Sequence, residues 1–257
     1  MKTYITGASG FLGSYLAKKL PDSISIPHDQ IHSVKLANFE HFYFLSSYGN
    51  LSHQAEDAKI IQANITDLTG ILYQTNWSKV KSFVFVSTSS VKLPAQTMYS
   101  RCKRAAEEIL LAIVEKHQAP ICIVRPFSVT GVGEQAAHLI PHLIDSCLTG
   151  APLEFVGSPR HDFIDVRDVV EGILVLSRAR ARGIFELGTG KSYSNQEVLE
   201  MVEKLTKKKA NIEIAPRMAK PYDTQDWISS DFTARDYGWV PKIKLEDTIH
   251  EMINNYE

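Results

Sequence analysis

The feature that most constrains this chain is a glycine-rich loop directly after its first predicted strand. Residues 2–6 have the composition of a short buried strand, three glycines follow at intervals of three, and a helical pattern begins at Phe11. In a strand–loop–helix unit the first glycine permits a tight turn, the second lets the backbone approach a pyrophosphate, and the third lets helix and strand pack closely. The positive end of the helix also favours phosphate. We predict a dinucleotide-binding loop lined by Gly7, Ser9, Gly10, Phe11, Leu12 and Gly13.

Apolar runs alternate with amphipathic segments, which favours βαβ units and a parallel sheet. The predicted fold class is therefore α/β, with a Rossmann-type doubly wound parallel sheet and a small C-terminal substrate-binding lobe. Residues 1–150 are expected to bind NAD or NADP, and residues 151–257 to form mainly the lobe, with about 160–190 returning to the sheet. The predicted strands are 2–6, 24–26, 41–46, 82–88, 121–125 and 184–187, and the predicted helices are 11–20, 55–76, 98–117, 136–149, 166–178, 195–207 and 245–256.

Composition narrows the environment and the partners. The 257 residues carry a net charge of −1, with 44% hydrophobic and 22% charged residues, as in ordinary globular proteins. We expect no nucleic acid or membrane partner, because there is no basic excess and no run of ~18 apolar residues. The odd, widely spaced cysteines Cys102, Cys122 and Cys147 and the lack of a secretory pattern favour reduced thiols in a cytoplasmic protein. His138 and His142 have no accompanying third ligand, so no metal is expected.

The residues after the second strand bear on the choice of dinucleotide. An acidic residue roughly 20 positions beyond the glycine loop suits the ribose hydroxyls of NAD, whereas a basic residue suits the extra phosphate of NADP. The sequence has Asp29 beside His28 in this region. Both cofactors remain open at this point.

A possible catalytic group lies after the fourth predicted strand. That strand ends in hydroxyl residues that include Thr88, and the next predicted helix carries Tyr99 and Lys103. A spacing of four places the last two on one helical face. A nearby ammonium and an oxidised nicotinamide both favour ionised tyrosine, which can exchange a proton with a sugar hydroxyl or carbonyl. The spacing alone is weak, because Tyr15 and Lys19 repeat it on the helix after the glycine loop.

Taken together, these features resemble the extended short-chain dehydrogenase/reductases, and specifically the NAD-dependent epimerase/dehydratase family that acts on nucleotide-sugars. The resemblance implies that Thr88 hydrogen-bonds the reacting oxygen and that Tyr99 is the acid–base. It also implies that Lys103 binds the nicotinamide ribose and lowers the pKa of Tyr99. The segments that carry the resemblance are 6–13, 86–91, 99–103, 125–131, 162–169, 187–190 and 237–241.

The same resemblance extends to positions around the cofactor and the substrate. The segment that ends in Ser46 and Ser47 would pass under the cofactor, and Val129 would lie near the carboxamide. A planar guanidinium can clamp a diphosphate, although a surface ion pair is the alternative for each arginine. The implied cofactor positions are Ser46, Ser47, Val86, Ser87, Tyr99, Lys103, Pro126 and Val129, with His28 and Asp29, and the implied substrate positions are Tyr48, Ser89, Ser90, Ser128, Arg160 and Arg217.

Departures from the family pattern concern the substrate more than the cofactor. Only ten residues separate Thr88 from Tyr99, so one wall of the substrate pocket is expected to be missing or rebuilt. The stretch from Ile24 to His41 is compressed, as if one βα step were shortened. Ser89 and Ser90 stand where dehydratases of the family usually have an Asp-Glu pair, which disfavours dehydration.

Two classes of function follow from these residues. The first is an oxidoreductase that works on C4 of a nucleotide-linked hexose, either reducing a 4-keto sugar or epimerising C4 through transient oxidation. The second is a non-catalytic dinucleotide-binding protein that senses redox state or serves as a scaffold. The presence of Thr88, Tyr99 and Lys103 favours the enzyme, and the short connection before Tyr99 keeps the alternative open.

We expect the protein to form a homodimer through the helix that carries Tyr99 and the helix predicted at 55–76. This is the usual four-helix arrangement of the family that the chain resembles. Light scattering at micromolar concentration should give twice the mass of one chain. A monomeric mass would contradict the prediction.

Overall fold

The computed structural model describes residues 2–31, 33–36, 38–51, 53–213 and 226–256. Single-turn 3-10 segments occur at His28–Gln30, Trp77–Lys79 and Ser89–Lys92, and a longer one at Thr233–Tyr237. In chain order the elements are β1 (Thr3–Thr6), α1 (Phe11–Lys19), β2 (Ile24–Ile26), β3 (His41–Phe44), α2 (Asp57–Ile61), α3 (Asp67–Gln74), β4 (Ser82–Val86), α4 (Met98–His117), β5 (Ile121–Pro126), β6 (Ser128–Thr130), α5 (Leu139–Thr149), β7 (Pro152–Glu154), β8 (Arg160–His161), β9 (Phe163–Asp165), α6 (Val166–Arg178), β10 (Gly183–Leu187), β11 (Tyr193–Ser194), α7 (Asn195–Thr206), β12 (Asn211–Glu213), β13 (Asp226–Trp227) and α8 (Leu245–Asn254).

The chain divides into two compact units. The first comprises Met1–Pro126, Val170–Leu187 and Asp231–Trp239, and the second comprises Phe127–Val169, Gly188–Ser230 and Val240–Glu257. Residues 127–149, which the sequence placed with the N-terminal domain, belong to the second unit. The reason is that the apolar face of α5 packs into a core shared with α7 and α8.

The first unit contains a six-stranded parallel sheet in the order β10-β5-β4-β3-β1-β2. The predicted parallel α/β sheet is thereby confirmed, and all six predicted strands are in it. β1 lies between β2 and β3, so the strand order reverses beside it, which is where open α/β sheets bind their ligands. β2 is one of the two edge strands, and the described residues between it and β3 form a 3-10 turn and no strand, in agreement with the compression seen in the sequence.

Two predicted strands end earlier than expected, and hydrogen bonds explain one of these ends. β3 stops at Phe44 because Leu45 and Ser46 donate their backbone N–H groups to the hydroxyl of Thr6 at 3.2 Å each. β4 stops at Val86, and the backbone then enters the 3-10 turn that Thr88 caps. Because β3 and β4 end early, the residues that follow them lie as loops at the carboxyl edge of the sheet, where the candidate site residues are found.

Aromatic side chains fill the core of the first unit. Phe42 and Phe83 on neighbouring strands stack with ring centroids 5.1 Å apart, and both are fully buried. Phe44 and Phe85, two residues further along the same strands, form a second pair with centroids 5.9 Å apart. Side chains of α3 and α4 cover this layer, so the strands are apolar almost throughout.

The prediction of one helix over residues 55–76 is wrong in one respect, because this segment is not a single α-helix. A π-helical segment, Gln62–Thr66, separates α2 from α3. Within it the buried amide of Asn64 donates to the carbonyl oxygens of Tyr48 and Ile60 at 2.8 Å each. The amide thus ties the irregular turn to the chain that follows β3, which sequence periodicity does not reveal.

Within its described residues the second unit has a helical core and three small sheets. The sheets are β11-β8-β13, β12-β7 and β6-β9. Asp162, fully buried between β8 and β9, accepts the backbone N–H groups of Thr189, Gly190 and Ser229 at 2.9–3.1 Å. No helix in the described part of the chain has the length and apolar character needed to span a bilayer.

We expect Phe83→Ala to lower the free energy of unfolding by ~3–5 kcal/mol, because it removes a fully buried ring that stacks on Phe42 and meets Trp77 edge-on. Phe232→Ala, at a site that is 38% exposed, should cost about 1 kcal/mol or less. Urea denaturation followed by tryptophan fluorescence measures both. Equal losses for the two variants would contradict this description of the core.

Candidate active site

The glycine loop forms a cradle that has no room for side chains. Gly7 has φ +70°, and a Cβ there would lie 2.8 Å from the carbonyl carbon of Leu45. A Cβ on Gly13 would lie 1.9 Å from the carbonyl oxygen of Gly7. Gly10 precedes the first turn of α1, which carries no acidic side chain. The backbone can therefore approach a pyrophosphate closely at the positive end of a helix, so these residues fit a dinucleotide.

The residues beyond β2 are arranged without selecting between NAD and NADP. His28 and Asp29 lie in a 3-10 turn and are exposed. The ring nitrogen Nδ1 of His28 is 3.5 Å from a carboxylate oxygen of Asp67, whose side chain is buried. A histidine suits the extra phosphate of NADP and an acidic residue suits the ribose hydroxyls of NAD, so this turn is compatible with both cofactors.

Thr88 lies at the end of β4 in a tight network of hydroxyl groups. Its Oγ1 accepts the backbone N–H of Ser90 at 3.2 Å and is 3.0 Å from the hydroxyl of Ser90. Ser89 is buried, with 1% of its surface exposed. The hydroxyl of Thr88 is held at the carboxyl edge of the sheet as the sequence predicts.

The connection between Thr88 and Tyr99 is short and closed on itself. The carbonyl oxygen of Val91 accepts hydrogen bonds from Gln96 at 2.7 Å and from Arg104 at 3.2 Å. Lys92 forms an ion pair with the buried Glu186 on β10. The ten residues therefore form an anchored turn where the family pattern predicts a longer wall.

Lys103 points from α4 toward the end of β4. It is 1% exposed, and its ammonium donates to the carbonyl oxygen of Val86 at 2.9 Å. The ammonium also lies 4.7 Å from the ring centroid of Phe85 and 5.9 Å from that of Tyr99. Burial lowers the pKa of Lys103 to about 7, and the charge of Glu107 opposes that shift.

Tyr99 begins the same helix face and is half-buried. Burial raises the pKa of Tyr99 to about 12, and a hydrogen bond with the side chain of Ser47 acts in the opposite direction. A Cβ on Gly49 would lie 3.3 Å from the Cβ of Tyr99, so the chain after β3 packs directly against it. At neutral pH the protein alone therefore holds Tyr99 as the protonated phenol.

A buried carboxylate that sequence reasoning missed lies one turn beyond Lys103. Glu107 is 1% exposed and accepts a hydrogen bond from Ser87 Oγ at 2.5 Å. It also makes a two-fold contact with the guanidinium of Arg125, at 2.9 and 2.6 Å. Sequence spacing could have identified Glu107, because it follows Lys103 by four residues, as Lys103 follows Tyr99, and so lies on the same helix face.

The implied cofactor and substrate positions of the second unit form a group of their own. Ser128 and Val129 belong to β6, and Ser128 donates its N–H to the carbonyl oxygen of Asp162 at 3.0 Å. Arg160 is held by both the hydroxyl and the carbonyl of Ser192, at 3.1 Å each, and by Glu197 at 3.0 Å. Its guanidinium thus has the partners that the ion-pair alternative predicts.

The remaining implied positions are distributed as follows. Ser46 is buried beside Thr6, and the hydroxyl of Tyr48 is 3.5 Å from Glu56. Pro126 ends β5 opposite Leu187 of β10. Arg217 lies outside the described residues.

Comparisons with known proteins identify the family and similar folds. The sequence profile described as the NAD dependent epimerase/dehydratase family matches residues 22–188. The UDP-glucose 4-epimerase of Lactobacillus helveticus is 26% identical over 227 residues, which cover 74% of this chain and 68% of that protein. One similar solved structure is MoeE5 in complex with UDP-glucose and NAD, with a TM-score of 0.85, 22% identity and coverage of 99% of this chain and 98% of that one. Another is RMD from Pseudomonas aeruginosa complexed with NADPH, with a TM-score of 0.84, 19% identity and coverage of 99% of this chain and 98% of that one. The likeness confirms the predicted Rossmann-type fold.

We expect Gly13→Ala to weaken binding of NADH or NADPH about tenfold or more, equivalent to ~1.4 kcal/mol, because the methyl group forces the loop apart. Gly70→Ala on α3 is the matched control, since a Cβ there meets no atom within 4 Å. Cofactor fluorescence titration measures both affinities. If Gly13→Ala binds as tightly as the unmodified protein, the loop does not hold the dinucleotide.

Proposed function

We propose that this chain, which belongs to the NAD dependent epimerase/dehydratase family, is an NAD(P)-dependent oxidoreductase acting on C4 of a nucleoside diphosphate sugar. The reaction is either reduction of a 4-keto sugar or epimerisation at C4. The relative from Lactobacillus helveticus is a UDP-glucose 4-epimerase, and MoeE5 is described with UDP-glucose bound. UDP-hexoses are accordingly the first substrates to test.

The observation that carries the proposal is the clustering of acid–base groups on one edge of the parallel sheet. Lys103 Nζ lies 5.9 Å from the ring centroid of Tyr99 and donates to Val86, two residues before Thr88. The hydroxyl of Thr88 accepts the N–H of Ser90, and its O–H can donate to a reacting oxygen when the hydroxyl of Ser90 is the donor of the Thr88–Ser90 pair. This set of groups suits proton exchange at a carbinol or carbonyl carbon.

The dinucleotide would be held by the glycine loop, by the chain after β3 and by Lys103. When bound, it supplies or takes up the hydride and, in the oxidised form, places a positive charge near Tyr99. The described contacts of Lys103 use one of the three N–H donors of its ammonium. The other two N–H donors of Lys103 can bind the ribose hydroxyls of the cofactor.

Tyr99 would exchange the proton at the C4 oxygen. With its pKa raised to about 12, the phenol keeps its proton at neutral pH and can give it to a carbonyl oxygen during reduction. In the opposite direction it must ionise, and positive charge from Lys103 favours the ionised form. Reduction of a 4-keto sugar needs one proton donation from Tyr99, and epimerisation needs Tyr99 to take up a proton during oxidation and return it during the second hydride transfer.

Dehydration is disfavoured by the residues that follow Thr88. Elimination across neighbouring carbons needs an additional acid and base, and Ser89 and Ser90 supply only hydroxyl groups. Ser89 is buried, and Ser90 is engaged with Thr88. The geometry therefore supports hydride transfer at one carbon better than loss of water.

We expect Tyr99→Phe to lower kcat by ~10²-fold or more, with cofactor affinity changed by less than about threefold, because it removes only the exchangeable proton. Tyr15→Phe is the matched control, since Tyr15 and Lys19 have the same spacing on α1. The assay is a panel of 4-keto and 4-hydroxy nucleotide-sugars with NADH, NADPH and NAD. Stoichiometric cofactor oxidation identifies reduction, and product without net cofactor change identifies epimerisation.

If the unmodified protein binds cofactor but turns over no member of the panel, and Tyr99→Phe behaves identically, the catalytic proposal is contradicted. That result would favour the non-catalytic dinucleotide-binding alternative. Loss of activity in Tyr15→Phe equal to that in Tyr99→Phe would show that the wrong tyrosine has been assigned.

A further inference from the structure

The buried carboxylate of Glu107 joins two parts of the first unit that carry the site. On α4 it lies one turn after Lys103, a spacing that makes neighbours of their side chains. Across from the helix it receives the fork of Arg125 on β5, at 2.9 and 2.6 Å. It also accepts the hydroxyl of Ser87 at 2.5 Å, one residue beyond the carbonyl that holds Lys103.

Few charged groups act on the ammonium of Lys103. The groups of α4 that act on the charge of Lys103 are Glu107 and Cys102, and the ring of Tyr99 lies 5.9 Å away. From other elements, Arg125 faces Glu107, Glu186 and Asp231 act in turn on Arg125, and Asp57 on α2 acts on Cys102. Within the described part of the chain, Glu107 is the carboxylate that acts on Lys103.

We propose that Glu107 is a positioning residue for the reaction: its carboxylate, fixed by Arg125 and Ser87, raises the protonated fraction of Lys103, whose ammonium the carbonyl oxygen of Val86 holds at the end of β4. The inference rests on the proposed function, in which a charged Lys103 binds the ribose and favours ionised Tyr99. Glu107 does not touch the reacting atoms. It acts through Lys103.

The electrostatic direction supports this role. Burial lowers the pKa of Lys103 to about 7, and the negative charge of Glu107 raises it. Without that charge the pKa of Lys103 falls further, by about one unit for a carboxylate at this spacing. The charged fraction of Lys103 above pH 8 then falls about tenfold, so the alkaline limb of the pH–rate profile moves to lower pH.

The direct test is an NMR titration of the side chain in protein labelled with 13Cε-lysine, with the Lys103 signal assigned by Lys103→Arg. Glu107→Gln keeps the shape and removes the charge, and we expect the pKa of Lys103 to fall by about one unit. Glu186→Gln is the matched control, because Glu186 is also buried and pairs with Lys92. It should leave the Lys103 titration unchanged.

A second variant covers the case in which Glu107→Gln fails to fold with Arg125 unpaired. In Glu107→Gln combined with Arg125→Gln the two amides can bond each other, and Lys103 still loses the carboxylate. A fall in the pKa of Lys103 is expected here too, smaller than in Glu107→Gln because the positive charge of Arg125 is removed together with the carboxylate. With an active substrate, the alkaline limb of kcat/KM should move by the same amount in this variant, but not in Glu186→Gln.

These outcomes separate the inference from the proposed function. An unchanged Lys103 titration in both Glu107 variants overturns the inference, whether or not a substrate is found. A lowered Lys103 titration with an unmoved pH–rate profile also overturns it, because the charge would then not serve the reaction. A lowered titration in a protein that turns over no nucleotide-sugar supports the electrostatic role of Glu107 and contradicts only the proposed function.

Discussion

The structure depends on the close approach of three backbone segments at the glycine loop. The Cβ of any residue at position 13 would lie 1.9 Å from the carbonyl oxygen of Gly7, and a Cβ at Gly7 would lie 2.8 Å from Leu45. α1 and the end of β3 are thereby both held against β1. Because the strand order reverses at this point, the positive end of a helix meets the open edge of the sheet. The chain beyond Leu45 then continues to Ser47, whose side chain hydrogen-bonds Tyr99.

Sequence alone predicted the parts of the fold that depend on local pattern. Each of the six sheet strands is a short apolar run between polar turns, so its existence, and for β2 its bounds, could be predicted. Helical spacing predicts that Tyr99 and Lys103 share one face of a helix. The position of Thr88 at the carboxyl edge of the sheet is predicted by its place after a buried strand. The compression after β2 was also visible, since 14 residues, 27–40, are too few for a further strand and helix of ordinary length.

What sequence could not predict depends on contacts between distant residues. Nothing local reveals that Glu107 meets Arg125, because that pairing depends on how α4 packs against β5. The π-helical turn at Asn64 likewise depends on a bond to Tyr48, 16 positions earlier. Residues 127–149 follow the first sheet in sequence, yet α5 joins the second core through its apolar face. Arg160 has the residue type of a phosphate ligand, and its contacts with Ser192 and Glu197, more than 30 positions away, could not be predicted from local pattern.

Buried charge links the chemistry of the site to the stability of the fold. Lys103 and Glu107 are each 1% exposed, and separating such groups from their partners costs several kcal/mol. An apolar set of similar volume is often as stable, so packing alone does not explain why Lys103, Glu107 and Arg125 are charged. The proposed reaction supplies an electrostatic reason: a tyrosine whose pKa is raised to about 12 by burial needs positive charge nearby in order to ionise. In that proposal Glu107 raises the protonated fraction of the buried Lys103, and Arg125 in turn stabilises the carboxylate of Glu107.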